Sequence, residues 1–197
     1  MRSDTEPRSV EHQPRPRPEL RAALQDTLTA DRSLFRDTID RLASEYGFDA
    51  NPDTTPESFD PPASIGDLSA SDRRLVWRAW TLENAPLGVV LTGPAYHDNP
   101  VLYATRATRR LTGYTLETLR GDNLRRLQGA ETDPATVGTL REALRGWSEI
   151  TVELRNYRAD GTAFTNRVSL VPVPDTNGTV EHWFGIQAAV PDDERDA

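Results

Sequence analysis

Gly121-Asp122-Asn123-Leu124-Arg125-Arg126-Leu127-Gln128-Gly129 is bounded by glycines and reads as a short helical turn carrying an amide pair and two adjacent guanidinium groups. Asn123 and Gln128 each offer donors and acceptors to the edge of a planar heterocycle, while Arg125 supplies a planar fork for phosphate. Such a turn makes a wall for a nucleotide-like ligand.

Upstream of it, Gly88-Val89-Val90-Leu91-Thr92 and Val101-Leu102-Tyr103-Ala104-Thr105 read as two strands joined by a loop containing Asp98-Asn99-Pro100. Short helices are expected from Arg106 to Thr112, stopped by Gly113, and from Leu116 to Arg120, capped by Thr115. Downstream, Asp133-Pro134 opens a longer helix, and three strands follow, separated by the hairpin signals Asp160-Gly161 and Asn177-Gly178. This order predicts an α+β fold, a five-stranded antiparallel sheet with short helices on one face.

The two-residue period of a strand places Ile150, Val152, Leu154 and Asn156 on one face, and does the same for Phe164, Asn166, Val168 and Leu170. In the last strand Trp183, Gly185 and Gln187 share a face. Each apolar row thus contains one amide, which costs about 1 to 3 kcal/mol if buried without a partner. Either the amides bond one another or nearby backbone, or they converge on something polar held against the quoted turn. Arg141 lies one helical turn after Val137 and before Leu144, at the edge of the buried face, where it can clamp a phosphate together with Arg125 or pair with a helix neighbour.

The quoted stretch, with the chain on both sides of it, resembles a LOV domain, the flavin-binding blue-light subclass of the PAS fold. The family signature Gly-x-Asn-Cys-Arg-Phe-Leu-Gln-Gly is matched except that Leu124 replaces the photoactive cysteine and Arg126 replaces a phenylalanine. The runs Asn99-Pro100, Leu111-Thr112-Gly113-Tyr114, Gln128-Gly129-Ala130-Glu131-Thr132-Asp133, Asn156-Tyr157-Arg158-Ala159-Asp160-Gly161 and Gly185-Ile186-Gln187 sit where that family has them, so the resemblance covers about residues 86–190. It implies that Asn123, Gln128, Asn156, Asn166 and Gln187 hold the isoalloxazine and ribityl chain, with Arg125 and Arg141 on the phosphate. Val90, Thr92, Leu124, Leu127, Val168 and Leu170 would line the ring. The short connection from Gln128 to Asp133 lacks the inserted loop of relatives that take a larger flavin, which favours FMN over FAD.

Leu124 removes the family's main photochemistry, because leucine has no nucleophile and the chain contains no cysteine. Three readings follow. The first is a light or redox sensor working by photoreduction of FMN to a neutral semiquinone, with Trp183 as electron donor, Tyr103 and Tyr114 as alternatives, and Gln187 as the signalling residue. The second is a passive flavin-binding protein, and the third a flavin-free PAS dimerisation module. No nucleophile elbow, His and acid pair or nicotinamide fingerprint argues for an enzyme.

Outside that region the chain is less patterned. Residues 1–17 alternate Pro, Arg, Glu and Ser and read as a disordered tail, and 191–197 read as an acidic one. Leu20, Leu24 and Leu28, then Leu34, Phe35, Ile39, Leu42 and Tyr46, predict one helix or two over 18–47, with Asp31 as a cap. Residues 48–68, rich in Pro and acidic residues, read as an exposed linker and domain boundary, and 69–85 as an entry helix capped by Ser69 or Ser71. The leucine stripe calls for a partner, either the following domain or a second copy, so a homodimer through these helices or the sheet surface is expected.

A net charge of -8 argues against nucleic-acid binding. The absence of cysteine and the scatter of His12, His97 and His182 argue against a metal. No apolar run suits a membrane span or signal peptide, so a cytoplasmic protein is expected, signalling to an unknown downstream partner. All 23 basic residues are arginine and aspartate outnumbers glutamate, which suits codon bias in a GC-rich genome or the acidic proteome of a halophilic archaeon, the origin we favour.

Overall fold

The computed structural model describes residues 18–51 and 53–191. Residues 1–17 and 192–197, expected to be tails, lie outside the described residues. Strands β1 (Gly88–Thr92), β2 (Val101–Ala104), β3 (Ile150–Tyr157), β4 (Ala163–Pro174) and β5 (Val180–Ala189) form one antiparallel sheet in the order β2-β1-β5-β4-β3. The hairpin turns after β3 and β4 place Gly161 and Gly178 at φ 83°, a left-handed conformation that an added Cβ would strain.

The sheet has two differently used faces. Val168 stands opposite Gln187, Leu170 and Val90 opposite Gly185, and Thr92 opposite Trp183, which puts these residues on a front face. Helices α4 (Arg106–Thr112), α5 (Leu116–Leu119) and α6 (Pro134–Arg145) follow β2, with a 3-10 turn at Leu124–Leu127 between α5 and α6. Gly88 lets α4 approach β1, since a Cβ there would lie 2.7 Å from Thr108 Oγ1. The α6 helix starts at Asp133, whose carboxylate accepts from the Ala135 and Thr136 N–H groups.

The back face carries Val89, Leu91, Tyr103, Val171, Phe184 and Ile186, all fully or nearly fully buried. The N-terminal part of the chain covers it. Here there are two helices rather than one, α1 (Pro18–Leu28) and α2 (Arg32–Tyr46), because Asp31 turns extended and caps the second through Leu34 N–H at 3.0 Å. Leu20, Leu24, Leu28, Phe35, Ile39 and Leu42 join the core of the sheet. Helix α3 (Ala70–Thr81) packs Trp77 against Phe35, with ring centroids 5.3 Å apart, and its Arg78 donates to the Leu28 and Ala30 carbonyls at the end of α1.

The expectation of an exposed linker over 48–68 is corrected by this packing. Phe59 and Ile65 are buried in the same continuous core, Phe59 against Trp80, and Arg73 donates to the carbonyls of Pro56 and Phe59. The segment is a strap over α3. Two isolated apolar residues among prolines gave no period by which to recognise it.

Candidate functional site

Between the front face and α6 lies a cavity of about 600 Å³, a size suited to a cofactor. Its sheet wall is Val90, Thr92, Leu154, Asn156, Asn166, Val168, Leu170, Trp183, Gly185 and Gln187. Gly185 keeps the middle of this wall flat, since a Cβ there would approach Val90 Cγ1 to 2.7 Å. The opposite wall comes from Asn123, Leu124, Arg125, Leu127 and Gln128 of the 3-10 turn, and from Val137, Leu140, Arg141, Leu144 and Arg145 of α6. All the residues expected from sequence to bind a ligand, and Trp183, therefore line one space.

Asn156, Asn166 and Gln187 are buried, at 3%, 0% and 1% exposure. They form a chain in which Asn166 Nδ2 donates to Asn156 Oδ1 at 3.0 Å and to Gln187 Oε1 at 2.9 Å, while Asn156 Nδ2 donates to the Arg155 carbonyl. The amides thus do bond one another, yet the chain leaves two ends open: Asn166 Oδ1 and Gln187 Nε2 are buried without a partner, as is Asn99 Oδ1 in the loop before β2. Three of the five such atoms among the described residues line this cavity. A buried open donor beside a buried open acceptor selects for a ligand edge that offers both.

The mouth is cationic. Arg125 pairs with Asp98, both well exposed, and Asn123 caps the turn by accepting from the Arg125 N–H at 2.8 Å while donating to the Asp98 carbonyl. Arg141 and Arg145 stand one turn apart on α6, and no ion pair among the described residues engages either. Arg145, Asp98, Leu140 and Ala95 were not singled out from sequence as site residues, whereas Leu154 was placed on the same strand face as Asn156. Arg145 is signalled by its four-residue spacing from Arg141, whereas Asp98 reaches Arg125 across 27 residues and no local pattern gives it away. Tyr157 holds the connection into α6, its hydroxyl accepting from the Glu131 N–H at 2.9 Å and its ring lying where a Cβ on Gly129 would be.

Two electron-donor candidates fall elsewhere. Tyr103 is on the back face, opposite Leu91, where its hydroxyl donates to Glu83 at 2.7 Å; burial foremost, then that carboxylate, pushes its pKa up. The strand period that puts Val90 on the cavity puts Leu91 and its partner behind the sheet. Tyr114 does not line the cavity either, packing beneath the Arg126 guanidinium at 5.1 Å. No cluster of three or more His, Asp or Glu suited to a metal occurs among the described residues, and no described helix is long and apolar enough to cross a membrane.

Residues 86–188 match the PAS domain family model, just over half the chain, and the chain belongs to that family. It is 38% identical over 135 residues to phototropin-1A of Oryza sativa subsp. japonica, covering 68% of this chain and 14% of that protein. It is also 38% identical over 126 residues to blue-light-activated histidine kinase 1 of Erythrobacter litoralis, covering 64% of this chain and 34% of the relative. The chain therefore spans only a fraction of these relatives' length. Among solved structures, a light-oxygen-voltage domain studied through a flavin analogue is 38% identical with a TM-score of 0.56, covering 58% of this chain and 85% of that one.

Proposed function

We propose that this chain is a flavin-binding sensor of blue light, redox state or both, which holds FMN and signals through its photoreduction rather than through a cysteinyl bond. The observation that carries the reading is the pair of open amide atoms, Asn166 Oδ1 and Gln187 Nε2, buried on the sheet wall of the cavity beside Val90, Val168 and Leu170. A flavin edge alternates carbonyls, an N–H and ring nitrogens, so it answers both atoms, and Val90, Val168, Leu170 and Leu127 answer its faces. Arg125 and Arg141, with Arg145 beside them, suit a phosphate at the mouth. A flavin-free scaffold would leave the two amide atoms unpaired at about 1 to 3 kcal/mol each. That disfavours the dimerisation module and leaves the passive flavin binder as the second reading.

Bound FMN would supply blue-light absorption and the capacity to accept an electron. Leu124 presents a hydrocarbon where the family's thiol stands, so excitation has no nucleophile to meet. Trp183, 2% exposed and lining the cavity, is the oxidisable side chain placed to give a bound flavin an electron, and its indole N–H would be the accompanying proton source. Gln187 can donate through Nε2 to an unprotonated ring nitrogen and turn its amide to present Oε1 once that nitrogen carries a proton.

The blue-light-activated relatives support the stimulus, and their signalling names support a sensory rather than catalytic module. We place the protein in the cytoplasm of a halophile, on its acidic, lysine-free composition. Association as a homodimer would use the outer surface of α1 and α2, where Leu34 is 55% exposed, since the back of the sheet is already covered. Absorption and electron spin resonance spectra before and after blue light test the proposal. The expected result is a yellow protein whose blue band bleaches as a radical signal grows. A colourless protein, or a yellow one inert to light and reductant, overturns it.

A further inference from the structure

Arg21 is an unusual residue to find behind a sheet. It lies on α1 between Leu20 and Leu24, is 7% exposed, and drives its guanidinium into the back face. Nη1 donates to the Ile186 carbonyl at 2.7 Å and to Ser169 Oγ at 3.1 Å, and Nη2 donates to the Arg167 carbonyl at 3.2 Å. All three acceptors are neutral. Burial, and then the neighbouring Arg167 charge, lower its pKa to about 10. The Glu153 carboxylate favours the cation from a distance, but its direct partners are oriented dipoles, so its hydrogen bonding depends on where those dipoles point.

The acceptors have a specific place in the fold. Ile186 C=O belongs to the same peptide unit as Gln187 N–H, and Ser169 stands opposite Ile186. Arg167 C=O belongs to the peptide that leads into Val168, which stands opposite Gln187 on the cavity wall. The fork therefore brackets, from behind, the pair of strand positions whose side chains face the cavity in front. The other contacts of α1 with the sheet, through Leu20, Leu24 and Leu28, are apolar and tolerate sliding; the Arg21 bonds do not.

We propose that Arg21 is the positioning residue through which α1 reads the state of Gln187, resting on the sensor function proposed above. A turn of the Gln187 amide that tilts the Ile186–Gln187 peptide misaligns the shortest Arg21 bond and leaves buried donors unpaired, so α1 loosens from the sheet. Arg78 keeps hold of the Leu28 and Ala30 carbonyls, so the movement is greatest at the Pro18 end of α1. The output of the cavity is thereby carried to the N-terminal side of the chain.

Hydrogen exchange of the full, flavin-loaded chain tests this, comparing the oxidised protein with the protein reduced by blue light or dithionite. In the unaltered protein, peptides covering 18–28 should exchange several-fold faster after reduction, while those of α3 stay the same. Arg21→Lys keeps the charge but cannot bridge both carbonyls; it should retain the flavin spectrum and its reduction, and show α1 exchange that is fast in both states. Ser169→Ala, a milder change that removes one acceptor, should narrow the difference between states if Arg21→Lys does not fold. A flavin-loaded, reducible protein whose α1 exchange ignores reduction overturns the coupling alone, as does an Arg21→Lys protein with the full wild-type response. A spectrum without flavin bands overturns the function and the coupling together.

Discussion

Asn166 Nδ2 donates to Gln187 Oε1 at 2.9 Å, so the Gln187 amide cannot turn alone without bringing two N–H groups face to face. Asn166 has a spare acceptor, its open Oδ1, with which to receive Gln187 Nε2 after a turn of its own. The two amides are thereby a coupled pair. Gln187→Leu removes one donor from the ligand and should weaken FMN binding several-fold, yet the flavin-saturated variant should keep photoreduction and lose the light-dependent structural change, read by hydrogen exchange. Asn166→Leu removes an acceptor from the ligand and a donor from Gln187, and should weaken FMN binding by about 10-fold or more, as expected for one or two hydrogen bonds at about 1 kcal/mol each. Equilibrium dialysis of released flavin checks the second.

Much of this was legible because strands have a period of two. Asn156, Asn166 and Gln187 each interrupt an apolar row, and the hairpin signals Asp160-Gly161 and Asn177-Gly178 fix the order in which those rows meet. Helix stripes were legible too, but not their target: Leu20, Leu24 and Leu28 announce a buried face without saying that it covers the sheet. Arg21 was hidden by its type, since an arginine beside leucines reads as solvent-facing until the carbonyls that receive it are known. Phe59 and Ile65 were hidden by their setting among prolines. The face taken by Tyr103 turns on parity, one residue separating a cavity position from the back of the sheet.

Removing residues 1–69 strips the back face of Leu20, Leu24, Leu28, Phe35, Ile39 and Leu42. At about 1.5 to 3 kcal/mol for each fully buried large side chain, the loss is comparable to the whole stability of an ordinary domain. The shortened chain should unfold at a much lower temperature or self-associate through the exposed Leu91, Phe184 and Ile186. Calorimetry with light scattering tells these apart, and an unchanged melting temperature and mass would show the helices to be dispensable.

Trp183→Phe should slow photoreduction several-fold while leaving flavin content unchanged, because phenylalanine fills the same wall without an oxidisable indole. Tyr103→Phe, on the other side of the sheet, should leave the rate as it is. Stopped-flow absorption under continuous blue light measures both, and an undiminished rate in Trp183→Phe would assign the electron to a reductant in solution.

Tyr103 also makes a prediction about pH. Its folded-state pKa is raised by burial and by Glu83, so the protonated phenol is favoured in the fold, and its contribution is fully present below the unfolded value near 10. As pH rises past that value the unfolded chain ionises first and stability falls. Tyr103→Phe should lose the Glu83 bond at neutral pH, at a cost of about 1 kcal/mol, yet show a shallower decline above pH 10. Urea unfolding at pH 7 and pH 10.5 gives the comparison, and parallel declines would remove Tyr103 as the cause.

Leu124 decides which photochemistry the cavity supports, and although it packs against the core, the turn that carries it is held by other residues. It opens the 3-10 turn, whose cap is the Asn123 side chain and whose anchor is the buried Leu127, so neither depends on the side chain at 124. Leu124→Cys places a thiol against the cavity, and blue light should then produce a thiol–flavin bond, seen as a reversible loss of the blue band that recovers in darkness. The unaltered chain should bleach only with accumulation of an unpaired electron. Both routes end with a proton on the same ring nitrogen, so the cysteine variant should drive the same change in α1 exchange as photoreduction does. Gln187→Leu, added to Leu124→Cys, should leave the bleaching intact and silence that exchange response. If Leu124→Cys forms the bond but α1 does not respond, the two chemistries do not converge on Gln187, and the replacement of cysteine by leucine has changed the signal as well as its trigger.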